Sequence, residues 1–180
     1  MTARLQDIPG LWWRRSALAG LIGGTAFLFY KAASLAILGI GFWAPLNMMA
    51  ALFPAFRPPS TAFSPGATLT GLLVLGLISM AGGLFYGWAA ATFYPQQIRT
   101  WGNSTLIGLA WGFAGGSIAT LLLAPWLFPE LVQASPVNFF IGCVAYEVVT
   151  HWALTAWARK RDFPITFAPE VPVAREAARK

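Results

Sequence analysis

Five apolar runs, separated by proline-rich or charged breaks, make up most of the chain. The first follows Arg14-Arg15 and extends from residue 16 to between residues 38 and 43, which satisfies the ~20 residues that a helix needs to cross a hydrocarbon core. A short run, residues 46–53, is caught between Pro45 and Pro54 and falls well below that length. Proline is favourable at the first helical position, so this segment is expected to be a two-turn helix that lies in the interface or dips back. A Pro- and Ser-rich loop, residues 55–65, precedes the second long run, residues 66–93, which stops before Pro95 because a residue preceding proline is pushed out of the helical region. Asn103 and Ser104 are candidate caps for a third long helix reaching residue 123, with Pro125 as its stop. The last run, residues 135–161, opens with Ser135 as a cap and Pro136 as first helical residue.

The fold expected is therefore all-α: an integral membrane bundle of four transmembrane helices with a short interfacial or re-entrant helix between helices 1 and 2. Residues 1–15 form an N-terminal segment, residues 16–161 the transmembrane domain and residues 162–180 a tail. Pro164, Pro169 and Pro172 make that tail extended, ending in a short Arg-rich helical turn. Arg14-Arg15 before an apolar run also resembles a twin-arginine leader, but the run is too long and no small-x-small site closes it.

Composition strengthens the membrane reading. The chain is 57% hydrophobic and 10% charged, with mean hydropathy +0.62, whereas a soluble domain is charged at roughly a quarter of its positions. The net charge of +6 does not imply nucleic acid, because the basic residues sit at the ends and in short loops. Counted near the helix ends, Arg4, Arg14, Arg15, Arg99, Arg159, Lys160 and Arg161 fall on one side, with Arg175, Arg179 and Lys180 in the tail; the other side holds Arg57. The positive-inside rule then makes both termini cytoplasmic, in a bacterial inner membrane. Trp12, Trp13, Trp101 and Trp157 map to the inner interface, Trp43 and Trp126 to the outer one, and Trp111 between helices.

Ionisable residues inside these runs carry the candidate chemistry: Lys31 in helix 1, and Glu147 and His151 in helix 4. Glu147 and His151 are four residues apart and share a helix face, which Cys143 and Thr155 extend by one turn each way. Charge is costly within a bilayer, so these three residues are expected to form an intramembrane polar cluster with Lys31 as the partner of Glu147. Lys31 snorkelling to the headgroups is the alternative. The Glu147 and His151 pair reads as a structural hydrogen-bond or ion pair, as half of a site completed by another chain, or as a point of proton or solute traffic. With one histidine and one cysteine, no metal-ligand cluster, haem clamp or internal disulfide follows, and no phosphate loop is present. The chain is expected to be no enzyme and to bind no cofactor alone, although haem or pigment of a neighbouring subunit is compatible with it.

Small residues spaced by four mark three of the long helices. Ser16, Gly20 and Gly24 lie on helix 1, Ser79, Gly83, Gly87 and Ala91 on helix 2, and Ser104, Gly108, Gly112, Gly116 and Thr120 on helix 3. Such stripes let backbones approach closely where lipid removes the hydrophobic drive. They serve packing within the chain or, for at least one stripe, a partner. No inverted repeat, matched broken helix or filter-like loop indicates a transporter or channel.

Trp43, Pro45, Met48, Ala50 and Ala51, followed by a Pro-containing loop and a Gly-rich second span, resemble a group of small uncharacterised bacterial four-span membrane proteins. That resemblance implies the four-span layout alone. The function expected is a non-catalytic accessory or structural subunit of a larger inner-membrane complex, respiratory or photosynthetic in kind, whose partners are the lipid bilayer and other membrane subunits. A small oligomeric transporter or channel built around Lys31, Glu147 and His151 is the alternative.

Overall fold

A computed structural model describes residues 10–159. These residues form helices and connecting turns, with no strand among them. Four long helices, α1 (Gly10–Ile37), α3 (Pro65–Phe93), α4 (Trp101–Ile118, continuing to Leu127) and α7 (Pro136–Ala158), are long and apolar enough to cross a membrane. The last turn of the third long helix is α5 (Ala124–Leu127), and between the long helices lie α2 (Ala44–Ala50) and α6 (Pro129–Ala134). The tail, the first nine residues, and the charges Arg4, Lys160, Arg161, Arg175, Arg179 and Lys180 lie outside the described residues.

Helix boundaries depart from expectation at several places. The first helix already includes Gly10, the first described residue, six residues before Ser16, and Trp12 continues the four-residue spacing of Ser16, Gly20 and Gly24 and belongs to the same seam. Its indole N–H donates to the Gly87 carbonyl at 2.8 Å and its side chain is buried, so it is a packing residue rather than part of an interfacial belt. The third helix passes through Pro125. Proline lacks an N–H and clashes with the carbonyl four residues back, and a wider π-helical turn, Ala119–Leu123, occupies that stretch so that the chain stays helical to Leu127. At its other end Asn103 and Ser104 lie inside α4, whose cap position is Thr100. The start of α7 is as expected: Pro136 is its first residue and the Ser135 hydroxyl accepts from the Asn138 amide at 3.4 Å.

The four long helices form a curved row in the order α3, α1, α7, α4. Each adjacent pair is antiparallel, and the small residues make the seams. A methyl at Gly20 would collide with the Ser79 carbonyl and the Gly83 backbone, one at Gly24 with the Ser79 side chain, one at Gly83 with the Ser16 carbonyl, and one at Gly87 with the Ser16 side chain. On the other side of the row, Gly108 faces the Val148 Cα at 2.9 Å, Gly112 the Val144 Cα at 2.9 Å, and Gly116 the Cys143 Cβ at 3.3 Å. Every expected stripe is thus filled within the chain, by α1 against α3 and by α4 against α7, and none of these glycines is free to receive a partner.

The short helix α2 is present, with all seven residues buried, packed on α3 and touching α1 and α6. Asn47, fully buried, explains how the Pro- and Ser-rich loop is held over it. Its Nδ2 donates to the Ser60 and Ala62 carbonyls at 2.8 and 2.7 Å, and its Oδ1 accepts from the Thr68 hydroxyl at 3.1 Å. Arg14, Arg15, Arg99 and Arg159 gather at one end of the row and Arg57 at the other, as the up-and-down order of the helices requires. Large apolar side chains, among them Leu69, Leu73 and Leu77 of α3 and Leu106, Phe113 and Leu121 of α4, are exposed on the outer faces.

Candidate functional site

The row does not close. α3 and α4, its two end helices, share no packed seam. They meet near one end through side chains, Trp111 approaching Phe85 and Tyr86 with centroids 5.6 Å apart in each case and hydrogen-bonding Tyr94 at the end of α3. Between them lies a half-open cleft of about 500 Å3 whose wall is almost wholly apolar. Phe27 and Phe139 line its depth, Tyr86 and Trp111 one end, and Met49 and Phe128 the other, so α2 and the α5–α6 corner form its roof. Ala119, in the π-helical turn, is also part of the wall.

Glu147 supplies the cleft with its charged-type side chain, projecting from α7 and only 4% exposed. The Tyr86 hydroxyl hydrogen-bonds the carboxyl from α3. The other carboxyl oxygen, Oε2, has no hydrogen-bond partner among the described residues. His151 Nδ1 approaches it at 3.9 Å, beyond hydrogen-bonding distance, because Nδ1 is committed to the Glu147 backbone carbonyl at 2.9 Å. A carbonyl oxygen accepts, so Nδ1 carries the proton, and Nε2, 3.3 Å from the Tyr94 hydroxyl, is free to accept from it. His151 is therefore a satisfied tether between α7 and the end of α3. Ser104 and Thr155 complete this layer: Ser104 donates to the His151 carbonyl at 2.9 Å, and Thr155 lies 2.6 Å from the Ser104 hydroxyl.

Lys31 does not join the cluster expected of it. It is fully buried, and its Nζ lies over the Phe139 ring, 5.8 Å from the centroid, with no hydrogen-bond or ion-pair partner among the described residues. Neither snorkelling to a surface nor pairing with Glu147 is seen. The reason is register: Phe139 is two helical turns from Glu147 on α7, and the α1–α7 seam holds Lys31 beside the former. Cys143, between those turns, lines the cleft.

Sequence reasoning located Glu147 and His151 but missed Tyr86 and Tyr94, which give them their partners. Both tyrosines had a visible signal: Tyr86 is a polar aromatic next to Gly87 of the α3 stripe, and Tyr94 sits at the helix end before Pro95. No group of three or more His, Cys, Asp or Glu side chains converges among the described residues. Comparison of the chain with family models, curated proteins and solved structures returned no match.

Proposed function

We propose that the chain is a small non-catalytic accessory subunit of a larger bacterial inner-membrane assembly, and that its own task is to hold an apolar guest between α3 and α4. The cleft carries this reading. A volume of about 500 Å3 lies within the roughly 300–1,000 Å3 range of small-molecule sites, and the outer faces of both flanking helices are apolar, so a guest reaches it from the bilayer. A transmembrane helix, about 10–12 Å across with its side chains, overfills such a space.

Neighbouring subunits would meet the exposed leucine and phenylalanine faces rather than the glycine stripes, which internal packing consumes. A respiratory or photosynthetic assembly is the host we expect, with any haem or pigment held by the neighbours, and cytoplasmic termini follow from the positive-inside rule. The channel or transporter reading would gather Lys31, Glu147 and His151 around one polar path. The apolar cleft wall and the position of Lys31 beside Phe139 favour binding over conduction.

The test is extraction of the native protein in mild detergent, followed by size exclusion and mass spectrometry of both chains and small molecules in the peak. Companion chains together with a retained apolar compound are expected. A lone chain, or a homo-oligomer free of any such compound, would overturn the proposal.

A further inference from the structure

The dimensions of the cleft narrow what can occupy it. Its lining runs from Leu75 to Tyr86 on α3 and from Trp111 to Leu127 on the third span, lengths of roughly 16 and 24 Å at about 1.5 Å per helical residue. An extended chain advances about 1.2 Å per bond, so a straight hydrocarbon of roughly 14–21 carbons reaches from one end to the other. The volume of about 500 Å3 gives a second count: at the roughly 30 Å3 that a water-sized group such as a methylene takes up in a liquid, it holds about 17 of them. The two counts agree for a cleft one chain wide. A cleft two chains wide would hold about twice the number that its length accommodates.

Nothing in the wall asks a guest for a hydrogen bond. The Tyr146 hydroxyl donates to the Ser79 carbonyl at 2.9 Å, the Tyr86 hydroxyl bonds Glu147, and the second Glu147 oxygen is itself buried. A polar group carried into the cleft would lose its water without finding a partner, so the enclosed part of the guest is hydrocarbon throughout. We infer that the guest is one acyl chain of a bilayer phospholipid, which enters sideways between α3 and α4, lies in single file along the cleft and leaves its headgroup outside. This rests on the cleft-binding reading above and adds to it the class of guest and the dimension that selects it. The source follows from the surroundings, since the outer faces of both flanking helices are apolar and the open side of the cleft between them then meets the acyl chains of the bilayer.

The full chain, in dodecyl maltoside, is labelled with a phosphatidylcholine whose 16-carbon acyl chain carries a mid-chain diazirine, and labelled residues are mapped by mass spectrometry. Saturated lysophosphatidylcholines of 10 to 22 carbons, one chain each, then compete at equal mole fraction in the micelle. Labels are expected on cleft residues such as Tyr86, Trp111 and Ala119. Competition should strengthen by up to about threefold per methylene, the value of the void that each missing methylene leaves, and should level off at about 16–18 carbons, where the cleft is full. Cholesterol, similar in length but a fused ring system in width, should not compete. Ala114→Trp fills an exposed lining position one turn from Trp111 and should bring the plateau about four carbons earlier, the length of one helical turn. Competition independent of chain length, equal competition by cholesterol, or a plateau that Ala114→Trp leaves in place would overturn the single-chain inference and leave cleft binding standing. Labels spread over outward residues such as Leu106 and Phe113, reduced by no competitor, would overturn both. The length series in the unaltered chain decides the matter even where Ala114→Trp fails to fold.

Discussion

At the scale of single residues, the buried polar groups fall into two kinds, and substitution should separate them. His151 is satisfied at both ring nitrogens, so replacing it by phenylalanine removes the acceptor of the Tyr94 hydroxyl and the second donor to the Glu147 carbonyl, which keeps its helical bond. We expect His151→Phe to cost about 1–3 kcal/mol, against roughly 0.6 kcal/mol for Tyr94→Phe, the average for one side-chain hydrogen bond within a membrane protein. Thermal unfolding in detergent checks the ranking, and equal losses would remove the role given to the backbone carbonyl. Lys31 is of the opposite kind. Its ammonium is buried without an acceptor among the described residues, and a lysine at the centre of a membrane helix costs about 2.5–3.5 kcal/mol on insertion scales. Lys31→Met, similar in length and apolar, should therefore leave the melting temperature unchanged or raise it. A clear fall would show that the ammonium has an acceptor in the native assembly, supplied from outside this chain.

At the scale of elements, two glycine-lined seams hold the row of helices, and the glycines are not equivalent. Gly20 opposes backbone atoms of Ser79 and Gly83, which cannot swing aside as a side-chain tip can. By contrast, a methyl at Gly76 would meet nothing nearer than Leu21 Cδ2 at 3.9 Å. Gly20→Ala should thus cost at least about 2 kcal/mol through overpacking of the α1–α3 seam, whereas Gly76→Ala should gain up to about 1 kcal/mol of helix propensity. Both glycines are helical and differ in what they face, so melts of the two variants compare packing with propensity directly. Similar shifts for both would mean that the α1–α3 seam is looser than described. The π-helical turn in the third span has a related logic, since it lets the helix carry Pro125 and also places Ala119 in the cleft wall.

For the whole molecule, charge distribution predicts orientation. Gln97 lies in the exposed turn between α3 and α4 at the end bearing Arg14, Arg99 and Arg159, and Ser60 lies in the exposed loop at the end bearing Arg57. With Cys143 replaced by alanine, Ser60→Cys should react with a membrane-impermeant thiol reagent in intact cells, and Gln97→Cys should react after permeabilisation alone. The reverse pattern would turn the molecule over. The curved row carries a consequence at the same scale: because α3 and α4 meet through Phe85, Tyr86 and Trp111 rather than through glycines, they are the pair best able to part.

Much of this was legible in the residues alone, where the cause is local or additive. Length and apolarity specify four helices able to cross a membrane whatever their order, Ser135 and Pro136 specify the start of α7, and four-residue spacing puts Glu147 and His151 on one helix face. The same spacing revealed the glycine stripes. What each stripe faces, however, depends on which helices become neighbours, and helices that are apolar all round leave that choice to the fit of small residues against a particular backbone. Tertiary structure alone therefore decided that both seams are internal, that Trp12 belongs to one of them, and that the row stays open between α3 and α4. It also decided the fate of the charges. Position along the helices gave Lys31 and Glu147 a chance to pair, but a partner is chosen by register across a helix seam, and that register sets Lys31 over Phe139 and leaves one oxygen of Glu147 buried without a partner among the described residues.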